Sequence, residues 1–259
     1  VILSHSYRST PAILDLATMI NRGDTAGALG FLSGGDEGSP VSIDTTTGSE
    51  PIEEWIRSQL TEPSVDEAYR LLANPPEGAE YSPDVTAAIT TVLFNATMLV
   101  LAHEGPRGRK AINRLAAAGL RRKLHNPPGD RFFHGMPIIL GSNHHELDLY
   151  NGDIGIVLHT KNEGTKVFFP RGDRLHPVSL DRLIDPEPAF ALTVHKSQGS
   201  EFNAVLLVLP EHESPLLSRQ IIYTGITRAK KYLKILGSTS ILAAAINRVE
   251  KREGGLQLS

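Results

Sequence analysis

The sequence has no cysteine among its 259 residues. Disulfides, thiolate metal sites and cysteine nucleophiles are therefore excluded, and a reducing cytosol fits. It also has no long apolar run. The longest, near Ala204–Leu209 and Met98–Ala102, are strand-sized and far short of the roughly 20 residues that span a bilayer. The opening Val-Ile-Leu-Ser has no signal-peptide pattern, so the expectation is a cytoplasmic protein with no membrane contact. A third absence is a phosphate-cradling G-x-x-x-x-G-K-[ST] loop. The nearest run, Gly105-Pro106-Arg107-Gly108-Arg109-Lys110, lacks the spacing and the hydroxyl residue. No G-x-G-x-x-G follows a strand either, which disfavours a Rossmann-type nucleotide enzyme.

What is present is an ordinary globular composition, 40% hydrophobic and 21% charged, enough for a core of normal size. The net charge of −3 does not suggest a nucleic-acid binder, but its distribution is uneven. Residues 1–100 hold 14 acidic and 4 basic side chains, residues 101–135 hold 8 basic and 2 acidic, and residues 191–259 hold 9 basic and 5 acidic. Two basic segments in an acidic chain can form a phosphate track or be solvated helix faces. Charge alone leaves both readings open.

The chain opens on an apolar strand, Val1–Ser4, followed by His5-Ser6-Tyr7-Arg8. A helix is expected next, with Ser9 or Thr10 as cap, Pro11 in its first turn and an apolar face of Ile13, Leu16, Ala17 and Ile20, stopping near Gly23. The Gly-, Ser- and Thr-rich stretch to about Gly48 reads as loop around a short strand. Further helices are expected over Ile52–Leu60, from Ser64 with Glu67 completing a capping box, after Ser82-Pro83-Asp84, and over the basic Arg109–Arg122. Between the last two, Thr97–Ala102 reads as a strand. From Asn126-Pro127-Pro128-Gly129 to about Pro186 the pattern changes to short strands and turns, with Asn151-Gly152-Asp153 a hairpin signal. Strand–helix alternation then resumes: Ala189–Val194 and Ala204–Leu209 as strands, Leu217–Ala229 as helix, Tyr232–Leu236 as strand, Thr239–Val249 as helix. The fold class is α/β, a mostly parallel sheet with a small inserted β-barrel. The domain reading is 1–126 with 186–259, interrupted by 127–185.

Three stretches carry chemistry. Thr193-Val194-His195-Lys196-Ser197-Gln198-Gly199-Ser200-Glu201-Phe202 leaves a buried strand and offers several donors for a phosphate backbone. Gly199 permits close approach of a ligand. Tyr223-Thr224-Gly225-Ile226-Thr227-Arg228 places an arginine on a helix, where it can meet charge developing on a transferring phosphoryl group. Ser6-Tyr7-Arg8 sets an aromatic and an arginine directly after a strand. The adjacent His144 and His145, with Glu146, project differently from a turn and are not read as a metal site.

Taken in chain order, Ser6–Arg8, Thr193–Phe202 and Tyr223–Arg228 resemble motifs IV, V and VI of superfamily 1 DNA helicases. With Ile20-Asn21-Arg22-Gly23-Asp24, Glu104-Gly105-Pro106, Asn113 and Tyr150-Asn151-Gly152-Asp153-Ile154-Gly155, the chain is similar to the RecD family, the alpha subunits of exodeoxyribonuclease V. The resemblance covers nearly the whole chain, with gaps around residues 24–95. It implies a RecA-like second motor domain with an SH3-like 2B insertion, and an ATP- and Mg²⁺-dependent 5′-to-3′ helicase in double-strand break repair. It implies Arg8 and Arg228 at the γ-phosphate, Tyr7 against the base or sugar, and Gln198, Gly199 and Glu201 lining the nucleotide cleft. Thr193, His195 and Lys196 would face single-stranded DNA, and the RecB and RecC subunits would be partners. Ordinary alternatives are core packing for Tyr7, a structural hydrogen bond for His195 and a helix cap for Glu201. Because family members carry the phosphate loop and acidic metal motif on a first motor domain, the chain alone is expected not to turn over ATP. Two rival functions are a stand-alone RecD-like helicase and a non-enzymatic DNA-binding or assembly module.

Overall fold

A computed structural model describes residues 9–35, 38–73, 82–160 and 164–249. The expected strand Val1–Ser4, together with Tyr7 and Arg8, lies outside the described residues. The helices are α1 Pro11–Arg22, α2 Thr25–Ser33, α3 Glu50–Thr61, α4 Pro63–Ala73, α5 Pro83–Phe94, α6 Arg109–Lys123, α7 Arg219–Ile226 and α8 Thr239–Asn247. The strands are β1 Val41–Asp44, β2 Ala96–Val100, β3 Pro137–Leu140, β4 Ile154–Thr160, β5 Gly164–Arg171, β6 Arg174–Ser179, β7 Pro186–Pro188, β8 Ala191–Thr193, β9 Phe202–Val208 and β10 Ala229–Leu236. None of the described helices is long and apolar enough to cross a membrane.

Five strands form a parallel sheet in the order β1-β10-β9-β2-β8. Its inner strands β9 and β2, with β8, are largely apolar on both sides because helices cover both faces. Leu99, Val205, Leu207, Leu233 and Ile235 pack with residues of α1, α2, α7 and α8. Met98, Val100, Leu206, Val208 and Leu236 alternate with them and pack against Ile52 and Ile56 of α3 and Ile112 and Ala116 of α6. The period of two along each strand thus sorts its side chains between two helix layers.

The chain leaves this sheet after β2 and α6, builds a second sheet, and returns as β8. The second sheet is antiparallel, in the order β6-β5-β4-β3-β7. Among the described residues the pairings run in one order from β6 to β7. Ile138, Val157, Val167 and Phe169 form one core with Tyr69 and Leu120. Ile139, Ile156 and Phe168 join the core of the parallel sheet through Val85 and Ile89 of α5. The boundary expected at 185/186 falls inside this sheet, since β7 pairs with β3 from Leu140↔Pro186 to Ile138↔Pro188.

α1 ends as expected: Gly23 adopts φ +76° and its N–H reaches the Ile20 carbonyl, the left-handed stop that glycine favours. The segment after it, expected as loop, holds α2. Asp24 caps this helix by accepting from the Gly27 N–H at 2.8 Å. Gly27 and Gly30 weaken its intrinsic preference, and burial of Ala28 and Leu32 overrides that. The Ser64–Glu67 capping box does not form. Pro63 starts α4 one residue earlier, and the Glu62 carboxylate accepts from the Val65 N–H at 3.0 Å instead.

Edge strand β1 is held to β10 partly by Asp44, 2.8 Å from Lys234 Nζ and accepting from the Thr46 N–H at 3.0 Å. Burial alone would raise its pKa, but the hydrogen bonds from Lys234 and Thr46 outweigh it and bring it from 3.8 down to about 2. A depressed carboxylate stabilises the fold above its unfolded pKa, and that stability is lost as pH falls through the folded pKa. The expected result is a melting temperature that separates wild type from Asp44→Asn above pH 3.8 and converges as pH approaches about 2. A difference constant across that range would remove Asp44 as the cause.

Candidate functional site

Thr193 closes β8, and the chain from Val194 to Glu201 returns to the start of β9. Thr193 and Val208 both pair with Val100, so they lie at the same level at the carboxyl edge of the parallel sheet. Phe202 starts β9 six residues before Val208, about 20 Å away at ~3.3 Å per residue. The stretch Thr193–Phe202 therefore crosses from one edge of the sheet to the other. Its two ends present different chemistry.

At the carboxyl edge the turn is held by its own hydroxyls. Thr193 Oγ1 accepts from the Lys196 N–H at 3.3 Å, and the fully buried Ser197 donates its hydroxyl to the Val194 carbonyl at 2.7 Å. Val194 is buried and His195 exposed. Lys196 is half-buried, and its Nζ pairs with the Glu187 carboxylate of β7. Glu187 also takes a bidentate pair from Arg109, the first residue of α6, at 2.9 and 3.1 Å. Gln198 and Gly199 are exposed. Gly199 takes φ +90°, and nothing lies within 4 Å of where a Cβ would sit. Glycine is needed for that backbone conformation, and the open space leaves its backbone accessible to a ligand.

At the amino edge Arg228 is not on a helix, where the sequence pattern places it. α7 ends at Ile226, and Arg228 sits in the turn before β10. The reason is strand pairing. The Phe202 N–H donates to the Arg228 carbonyl at 2.9 Å, and Ala229 registers with Phe202, which draws the chain out of the helix. The half-buried guanidinium donates to the Thr224 carbonyl at 3.2 Å, the Ser200 carbonyl at 3.3 Å and Thr227 Oγ1 at 3.4 Å. Arg228 thus ties the end of the Thr193–Phe202 stretch to the end of α7. These hydrogen bonds lie at the long end of the usual geometry. Glu201 is 3.3 Å from Lys230 Nζ. Tyr223, 38% exposed, lies one turn back on α7.

The chain following Tyr7 and Arg8 also arrives here. Ser9 Oγ donates to the Ala229 carbonyl at 2.8 Å, and the Thr10 N–H to the Lys230 carbonyl at 2.9 Å. The structure thus brings Glu201, Arg228 and the residues right after Arg8 to one edge, and separates them from Thr193. Two residues central to this geometry have no role in the sequence pattern. Glu187 carries no motif signal. Asn113 stands out only as part of a resemblance, and its 5% exposed amide bonds the backbone of β8.

Comparison with known proteins adds to this geometry. A family model described as the UvrD-like helicase C-terminal domain matches residues 188–236, which include Thr193, Lys196, Glu201 and Arg228. The RecBCD enzyme subunit RecD of Mycobacterium tuberculosis is 33% identical over 256 residues, 99% of this chain and 42% of that protein. The subunit of the same name from Haemophilus influenzae is 36% identical over 182 residues, 70% of this chain and 27% of that protein. The ATP-dependent RecD2 DNA helicase of Deinococcus radiodurans is 35% identical over 116 residues, 44% of this chain and 16% of that protein. The chain therefore spans less than half the length of each of these relatives.

Proposed function

From the premise that this chain is a homologue of RecD along 99% of its length, we propose that it is the second, RecA-like motor domain of an ATP-dependent 5′-to-3′ DNA helicase. The inserted unit runs from about residue 127 through β7, which pairs with β3, as an SH3-like 2B insertion, and the rest of the chain forms the motor domain. The observation that carries the reading is Arg228. It joins the Thr193–Phe202 and Tyr223–Arg228 stretches at one sheet edge through Ser200 and Thr224, beside the attachment of Ser9 and Thr10 to β10.

The residues at that edge suit the phosphate end of a nucleotide. A half-buried guanidinium on exchangeable carbonyl contacts presents fixed planar donors to transferring phosphoryl oxygens. Arg228 would act as the arginine finger, with Arg8 as the second arginine and Tyr7 against the base or sugar. Gln198, Gly199 and Glu201 would line the cleft, Gly199 through its open backbone. ATP would supply the phosphoryl group, and Mg²⁺ would be held by a motor domain that carries a phosphate loop. Thr193, His195 and Lys196 would hold single-stranded DNA at the opposite edge. The stretch that joins the edges can relay nucleotide-driven closure to the DNA grip.

RecB and RecC are the proposed partners, on the strength of the relatives named as RecBCD subunits. The match to a RecD2 helicase supports a second reading, a helicase that works without them. In a salt series, the chain is expected to bind single-stranded DNA with salt-sensitive affinity, and His195→Ala/Lys196→Ala to weaken it about tenfold or more and flatten the salt slope by about one. Equal binding by the two proteins at every salt concentration would remove the Thr193–Lys196 turn from the DNA path.

A further inference from the structure

Three charged side chains meet where α6, β7 and the turn after β8 converge. Arg109 contacts both oxygens of Glu187, at 3.1 and 2.9 Å. Lys196 Nζ donates to Glu187 Oε2, the oxygen that also accepts from Arg109 Nη1. One carboxylate thus holds two cations, and the trio carries one net positive charge. Burial would raise the Glu187 carboxyl, but the hydrogen bonds from Lys196 and Arg109 outweigh that and hold it below its ordinary value. The two cations are not equivalent. Arg109 is interior, its side chain 8% exposed, and also reaches His103 Nδ1 at 3.4 Å. Lys196 lies at the rim, its side chain 26% exposed, next to the exposed His195.

We propose that Glu187 is a built-in competitor for phosphate at Lys196. In the free protein the carboxylate occupies the ammonium. When a DNA phosphate arrives, Lys196 changes partner, and Glu187 remains neutralised by Arg109. The double pairing makes the exchange feasible: a carboxylate left with no cation after losing Lys196 would be a costly, partly buried charge, whereas this one keeps a bidentate guanidinium. The consequence is a weaker grip than an unpaired lysine would provide, suited to a protein that must release each phosphate as it moves. The inference rests on the reading of Lys196 as a DNA contact.

The experiment measures binding of a labelled oligothymidylate to the full chain by fluorescence anisotropy across a potassium chloride series. Wild type, Glu187→Gln, Glu187→Asp, Lys196→Ala and Glu187→Gln/Lys196→Ala are compared, with circular dichroism to establish folding. Lys196→Ala is expected to weaken binding. Glu187→Gln is expected to tighten it by about three- to tenfold at low salt and to steepen the salt slope. The double variant should bind within about twofold of Lys196→Ala, because the gain passes through Lys196. A merely structural Glu187 would show the opposite sign, since disturbing the turn can only loosen the grip. If loss of the Arg109 partner prevents Glu187→Gln from folding, Glu187→Asp carries the test. It keeps a negative charge beside the interior Arg109 while its shorter reach is expected to weaken the contact with Lys196 at the rim, so it should also bind more tightly. Folded Glu187 variants that bind equally or more weakly, beside a Lys196→Ala that weakens binding, overturn the competitor and leave Lys196 on the DNA. Wild-type affinity in Lys196→Ala overturns both.

Discussion

Replacing Arg228 with alanine is expected to cut ATP turnover by about a thousandfold or more when this chain is joined to a RecD-type first motor domain, with nucleotide affinity nearly unchanged. Such a separation marks a group that acts on the transition state and not on the ground state, and an arginine finger is worth roughly 10³–10⁵ in kcat. Arg228→Lys should recover little, because a point charge lacks the planar fork that spans two oxygens. The structural cost of either change is small. The hydrogen bonds that Arg228 makes to Thr224, Ser200 and Thr227 are 3.2–3.4 Å long and come from a half-buried side chain. Steady-state turnover and a melting curve on the same preparations separate the two effects. Turnover within tenfold of wild type in Arg228→Ala would remove this residue from the phosphoryl-transfer machinery. The chain by itself is expected to turn over no ATP.

The second large effect falls on stability. Replacing Asn113 with leucine is expected to cost about 4 kcal/mol, read as a lower denaturation midpoint with an unchanged denaturant slope. Asn113 is 5% exposed and its amide is fully used. Nδ2 donates to the Arg109 carbonyl at 3.1 Å and the Ala191 carbonyl at 2.8 Å, while Oδ1 accepts from the N–H groups of Phe190 and Ala191 at 3.0 and 3.1 Å. β8 has three residues and is the last strand of the parallel sheet. Among the described residues no strand neighbours its outer edge, and there the Asn113 amide supplies a donor and an acceptor. Leucine would leave the buried N–H and carbonyl of Ala191 and the partly buried N–H of Phe190 unpaired, each buried group at about 1–3 kcal/mol. Asn113→Asp keeps the acceptor but sets a buried carboxylate against the Arg109 and Ala191 carbonyls, and is expected to cost at least as much at neutral pH. A loss below about 1 kcal/mol in the leucine variant would show that β8 does not depend on this amide. Since β8 carries Thr193, the leucine variant should also weaken oligonucleotide binding.

How far the sequence can be read differs from place to place. The strands β2, β8 and β9 show themselves as apolar runs because both faces are covered. Gly23 marks the end of α1, and Ser82-Pro83 marks the start of α5, where Ser82 accepts from the Val85 N–H at 3.2 Å. The helix α2 is hidden by its glycines and revealed only by what it buries. The end of α7 is misplaced by a local reading, because the strand pairing that stops it comes from Phe202, far back in the chain. The Thr193–Phe202 and Tyr223–Arg228 stretches stand out through their combined resemblance to helicase motifs, since residue type alone fits an ordinary loop and a solvated helix end as well. Their meeting at Ser200 and Arg228 does not stand out.

By itself, then, the sequence determined the α/β class, the β-rich segment between α6 and β8, and which residues bear charge and hydroxyls. Those properties are local: periodicity, turn residues and side-chain chemistry survive in a linear reading. Only the tertiary structure decided that Lys196 is shared with Glu187, that Asn113 completes an edge strand, and that the Thr193–Phe202 stretch separates two edges of one sheet. Each of these joins residues from elements that the linear pattern does not relate. Hydrogen bonds and ion pairs depend on distances of about 3 Å, and such distances between remote elements exist only once the two sheets and their helices have packed.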